Sequence, residues 1–283
     1  MIKGKIYKYQ LSYIKAKGFV ASYDCSASYN WLYKRAWGQE IEMLTFTTSI
    51  KTLSIIGISI LVLPAFLIVT PASADEGTIA HGGKLYDKWF KVIGAPKPPD
   101  THMSWPSSNT KKKGNATHRC KSCHGWDYMG KDGAYASGSY KTGIVGLRKF
   151  AGGNAADVIA AMKDKTHGYG GKIGDADLAA LAMFVTLGQV DMDKYIDRKS
   201  KKAKGNATQG KEYFNTLCIN CHGADGKLPK EMPPLGKLSN KNPWEMMHKI
   251  LNGQPGEGMP GLRALPYQVT ADVNAYLQTL PKE

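Results

Sequence analysis

Two five-residue strings constrain this chain more than anything else in it: Cys120-Lys121-Ser122-Cys123-His124 and Cys218-Ile219-Asn220-Cys221-His222. Both read C-x-x-C-H, the spacing of covalent haem attachment. Two thiols separated by two residues can add to the two vinyl groups of one haem, and the adjacent histidine places an imidazole on the iron. A zinc cluster would need a second C-x-x-C at closing distance, and a thioredoxin-like pair would need a βαβ setting; neither pattern is present. The fifth cysteine, Cys25, lies far upstream, so the two strings use every cysteine beyond residue 74.

The N-terminal part reads as targeting rather than fold. Residues 53–69 form the chain's single long apolar run, preceded by Lys51 and followed by Pro71-Ala72-Ser73-Ala74. A positive flank, an apolar stretch and a small-x-small site are the marks of a secretory signal peptide. Cleavage after Ala74 makes Asp75 the mature N-terminus. The alternative is an uncleaved anchor, for which a 17-residue run containing Pro64 is short. Met43 stands eight residues before Lys51, which makes 43–74 the signal and 1–42 a mis-called upstream extension, Cys25 included. The remaining 209 residues suit two domains of about 100 residues each. The whole chain is 42% apolar with a net charge of +15, and residues 75–283 keep +10, from 30 basic and 20 acidic residues.

The repetition extends beyond the cysteines. Gly83-Lys84-Leu85-Tyr86 parallels Gly210-Lys211-Glu212-Tyr213, each expected to open a helix before its C-x-x-C-H string. Asn154 and Asn242 each precede a helical segment, at 155–163 and 243–251. Asp175-Ala176-Asp177-Leu178 parallels Thr270-Ala271-Asp272-Val273, with Asp or Thr expected to cap a final helix. Leu178, Leu181 and Val185, then Val273, Tyr276, Leu277 and Leu280, follow helical spacing. No strand alternation is evident, so the expected class is all-α.

On these residues the chain resembles class I cytochrome c domains over about 79–188 and 206–280. It resembles a tandem dihaem c-type cytochrome, more closely in the second copy. The resemblance implies two cytochrome c-like helical domains in tandem behind the signal peptide. Domain 1 spans 75–190 with an inserted loop at about 95–119, a basic solvated linker spans 191–204, and domain 2 spans 205–283. It further implies two covalently bound haem c groups, attached at Cys120 and Cys123 and at Cys218 and Cys221. His124 and His222 are then the proximal ligands. Gly258-Met259-Pro260 matches the family's distal-methionine pattern, and Pro233-Pro234-Leu235 its loop whose carbonyl holds the proximal histidine. Domain 1 has no Met-Pro in the matching place. His167, within Lys165-Thr166-His167-Gly168-Tyr169-Gly170-Gly171, is the expected second ligand there, with His102 or Met103 of the inserted loop as alternatives. The insert, rich in proline and lysine, is expected over the haem edge or at a docking surface. Met162, Met183, Met232, Met246 and Met247 read as core, His81, His118 and His248 as surface or helix-face residues, and Trp126 and Tyr128 as neighbours of the porphyrin.

The function that follows is single-electron transfer by an exported, periplasmic protein with no catalytic residues. A bis-His haem favours Fe(III) more than a His/Met haem does, so electrons should run from the first centre to the second. The positive charge suits acidic redox partners and, in an exported haem protein, argues against nucleic acid. Membrane contact is expected only if the signal segment stays uncleaved. The alternatives are a cytochrome subunit of a larger oxidoreductase and a haem enzyme. A dihaem peroxidase would be longer, and a cysteine-ligated thiosulfate dehydrogenase would need one more cysteine.

Overall fold

The computed structural model describes residues 75–283, which lie within one compact unit. The expected upstream extension at 1–42 and signal peptide at 43–74 lie outside the described residues. Among the described residues every regular element is helical, and the β contacts are two isolated bridges, Gly130–Val145 and Ile196–Ala203.

In the first half, α1 (Glu76–Val92) begins where the Asp75 carboxylate accepts the Gly77 and Thr78 amides. Its buried residues Ile79, Gly82, Gly83, Leu85, Tyr86, Trp89 and Phe90 follow the three-and-four spacing of one helical face. The helix breaks at Lys88, next to Asp87, whose carbonyl accepts from Arg119 Nε at 2.7 Å. Then come α2 (Cys120–His124), α3 (Ala155–Lys163), capped by Asn154, and α4 (Asp175–Leu187). The second half holds α5 (Ala207–Leu217), capped by Asn206, α6 (Ile219–His222), α7 (Leu235–Lys241), α8 (Pro243–Asn252) and α9 (Tyr267–Leu277). At α8 the Asn242 side chain accepts the Glu245 amide while its own amide donates to the Glu245 carboxylate. Pro243 occupies the first turn.

The two halves repeat one crossing, α1 over α4 and α5 over α9. A Cβ on Gly82 would stand 2.1 Å from the Ala180 carbonyl oxygen, and one on Gly210 would stand 1.9 Å from that of Asp272. Phe184 and Tyr276, four residues further on, flank the same contacts. The repeat therefore equates Gly82 with Gly210 and Ala180 with Asp272, not Gly83 with Gly210 or Asp177 with Asp272 as the sequence comparison has it. Two further expectations are corrected. Gly83 lies within α1 rather than at its opening, and Thr270 is a fully buried interior residue of α9, whose cap position is Pro266.

The segment at 191–204 is less solvated than its charge suggests. Met192 and Ile196 are buried in the main core, and Arg198 pairs with Asp127 and Asp193, both at 2.6 Å. The exposed residues are Lys194, the run from Lys199 to Lys202, and Lys204.

The halves also share that core. Trp244, Met247 and Leu251 of α8 pack in the same cluster as Leu85, Tyr86, Leu178 and Phe184, while Phe214, Leu235, Ile250, Val273 and Leu277 make a smaller second cluster. His248 overturns its surface assignment, for it is completely buried in the seam. Its Nε2 donates to the Gly83 carbonyl at 2.9 Å, and its Nδ1 accepts the Tyr128 hydroxyl at 2.9 Å. Nearby, the buried Asp87 carboxylate is shared between Lys249 of the second half and Arg119 of the first. Burial alone would raise the Asp87 pKa, but these two cations outweigh it and hold the carboxyl well below its usual range.

Candidate functional site

The first centre is built on α2. Arg119, held by Asp87, leads directly into Cys120, so the ion pair at the seam also fixes where the attachment helix starts. Both thiols are free, and burial pushes each up to about 12. His124 closes the helix. Its Nδ1 lies 2.8 Å from the Val145 carbonyl, which can only accept, so Nδ1 carries the proton and Nε2 keeps its lone pair. Burial lowers the His124 pKa to about 4, which keeps the imidazole neutral, as a metal ligand must be.

His167 faces it from the loop between α3 and α4. Asp164 accepts the Thr166 and His167 amides at 2.8 and 2.9 Å and lies 3.3 Å from His167 Nδ1, again directing the proton to Nδ1 and leaving Nε2 bare. The two ring centroids are 6.3 Å apart with planes 25° from parallel. A metal–imidazole bond is about 2 Å and the bonded nitrogen stands about 1 Å from the ring centre, so one metal between two imidazoles requires about 6 Å. The residues present therefore fit a haem iron at this position.

The inserted loop packs against the His167 loop, and its own histidine has both ring nitrogens engaged. His102 is buried. Its Nδ1 accepts the Ser104 amide at 3.1 Å and its Nε2 donates to the His167 carbonyl at 3.0 Å, so neither nitrogen has a free lone pair. Ser104 Oγ donates to the Thr166 carbonyl at 2.5 Å. Met103 is 72% exposed. Tyr169, in the same loop, donates its hydroxyl to the His118 carbonyl, and His118 Nε2 reaches the Asp100 carbonyl.

The second centre repeats the plan around α6. Cys218 and Cys221 are free thiols, and burial raises the Cys218 pKa to about 11. His222 Nδ1 donates to the Leu228 carbonyl at 3.1 Å. This corrects the expectation that the stretch 233–235 supplies that acceptor. The Leu228 amide also bonds to the His222 carbonyl, closing a tight loop, while Leu235 is buried at the start of α7. Leu228 precedes Pro229, and a residue before proline is held extended, the local signal that could have found it. Met259 lies partly buried between α8 and α9, and its carbonyl packs on Gly253. Met246 and Met247 are buried on α8 and Met162 on α3, as expected of core residues.

Trp126 and Tyr128 follow the first attachment helix and are both buried in the seam. The Trp126 ring lies 5.1 Å from His248 and has Lys121 and Lys249 ammonium groups at 4.9 and 5.4 Å. The residues that sequence reasoning missed are those of the seam, His248, Asp87 and Lys249, each set by a partner more than 100 residues away.

No helix among the described residues is long and apolar enough to cross a membrane. No curated protein and no solved structure matches the chain. Residues 205–277 match the family model described as cytochrome C oxidase, cbb3-type, subunit III. The second half thus carries a c-type cytochrome domain, whose cofactor is covalently bound haem c and whose chemistry is haem-based electron transfer.

Proposed function

We propose that the chain is an exported, periplasmic dihaem c-type cytochrome that passes single electrons between protein partners and catalyses no reaction of its own. Cys120 and Cys123 hold the first haem and Cys218 and Cys221 the second. His124 and His167 would hold the first iron, and His222 and Met259 the second. When bound, the haems supply two one-electron couples, the bis-His couple the lower in potential, which directs electrons from the first centre to the second.

The observation that carries this reading is the pairing of His124 with His167 at 6.3 Å, each with Nδ1 engaged by an oxygen and Nε2 free. Such outer hydrogen bonds fix tautomer and ring orientation and raise ligand basicity. An iron held by two protein side chains would keep no open position for a substrate, which favours a carrier over an enzyme. The apolar run at 53–69, with its small-x-small end, supports export. The +10 charge of residues 75–283 supports acidic redox proteins as partners, through faster encounter.

The test is low-temperature EPR of the ferric holoprotein beside His167→Ala. Two low-spin signals are expected, one of which turns high-spin in the variant while the other is unchanged. A high-spin centre already present in the wild type would overturn the reading in favour of an enzyme.

A further inference from the structure

A cavity of about 410 Å³ opens at the junction of the two halves, beside the attachment helix α2. Four lysines line it: Lys112 and Lys121 from the first half, Lys201 from the connecting segment and Lys241 from α7. Glu245 is the carboxylate on the same wall; Arg119, also there, is already paired with Asp87. The four lysines make no ion pair among the described residues.

Lys121 is the unusual member. Only 3% of the residue is exposed, and its amine, which opens on the cavity, makes no hydrogen bond among the described residues. It stands 4.1 Å from the Tyr140 ring centre and 4.9 Å from that of Trp126, two residues that line the cavity. Two aromatic faces attract a cation but accept none of its three N–H bonds in the way an oxygen does. Burial lowers the Lys121 pKa to about 7, and an anion in the cavity would favour its charged form. The rings themselves are held in place, Tyr135 and Tyr140 lying 5.1 Å apart at 13°. Lys112 covers the other wall at 4.8 Å from Tyr140.

We infer that this cavity is a binding site for a small multivalent oxyanion of the phosphate or pyrophosphate type. The excess of ammonium over carboxylate groups calls for more than one negative charge. A volume of about 410 Å³ admits a small ion, and the recessed position of Lys121 places it beyond the surface that a partner protein's carboxylates would meet. Oxygen atoms on the ion supply the acceptors that Lys121 lacks. Because the walls come from both halves, the ion bridges them. The inference stands on these residues alone and does not depend on the ligands assigned to either iron.

The experiment is calorimetric titration of the full holoprotein with inorganic phosphate and with pyrophosphate at constant ionic strength. The variants are Lys121→Gln, the double variant Lys112→Gln/Lys241→Gln, and Lys172→Gln as a lysine outside the cavity. One ion per chain is expected, the pyrophosphate tighter, with affinity at least tenfold weaker in both cavity variants and unchanged in Lys172→Gln. The double variant keeps the test valid if Lys121→Gln does not fold. Absence of one-to-one binding by either ion, as when a haem propionate already satisfies Lys121, overturns the inference. Equal affinity across all the variants overturns it too, since that describes adsorption to surface lysines.

Discussion

A histidine with both ring nitrogens hydrogen-bonded has no lone pair to give a metal, and His102 is such a residue. It holds the His167 carbonyl, and so the loop that, under the proposed function, carries the second ligand of the first iron. His102→Ala should therefore leave the first iron partly high-spin by EPR, with low spin restored by added imidazole, and cost about 1 kcal/mol of stability from the lost hydrogen bonds. A purely structural role would lower stability and leave the spin state alone. His248 makes a different kind of statement. Burial, ahead of the opposing pull of Asp87, lowers its pKa from 6.5 to about 4. Lys249 and Arg263 push the same way, and Tyr128 and Gly83 complete its surroundings. The unfolded chain then binds the proton more readily than the folded one. The stability His248 contributes is present in full above pH 6.5 and is lost as pH falls towards 4. The loss amounts to about 3 kcal/mol. Guanidinium unfolding at pH 7, 5.5 and 4.5 should show this slope, and His248→Gln should flatten it. Nothing local in the string Met246-Met247-His248-Lys249 announces burial: what buries this imidazole is α1, some 160 residues away in sequence.

At the scale of elements, helices were legible, whereas the caps read at Asp175 and Thr270 lie inside α4 and α9 and the registers slipped. Asn154 and Asn242 precede α3 and α8 as read and cap them, because a cap acts on amides two or three residues away and needs nothing else. The all-helical class was legible for a similar reason, since the spacing of apolar residues is itself local. The pairing of the two halves slipped by one residue at Gly82 and by three along α9, because matching letters such as Asp177 and Asp272 outweigh, to the eye, a contact that only the crossing defines. The facing of His124 and His167 follows from loops whose positions in the chain were legible, whereas the Leu228 acceptor depends on how a loop closes. The crossing itself makes a firm expectation. Gly82→Ala and Gly210→Ala each drive a methyl group onto backbone carbonyl oxygen, so each helix pair must separate. A loss of about 3 kcal/mol is expected for either, read as a lower denaturation midpoint. By contrast Gly138→Ala or Gly174→Ala meets nothing within 4 Å, although Gly138 has a positive φ of 82° that favours glycine. Gly174, without that constraint, is the cleaner control.

The whole molecule is held at the seam by one carboxylate between two cations. Asp87→Asn removes the charge that Lys249 and Arg119 share while leaving both cations largely buried. Breaking a buried pair in this way costs about 3 to 5 kcal/mol. Equilibrium unfolding of Asp87→Asn should show that loss, and the double change Asp87→Asn/Lys249→Met should recover part of it, because the second substitution removes the stranded charge. The seam is also where apolar side chains of α8 complete a core begun by α1 and α4. Either half made alone would present Trp244, Met247 and Leu251, or the surface they cover, to water. Under the proposed function, the smallest piece that natural selection could transplant into another electron-transfer assembly is thus the pair, not the single module. The hop between its centres would need no diffusive search, and its rate would be indifferent to how viscous or crowded the surrounding compartment is.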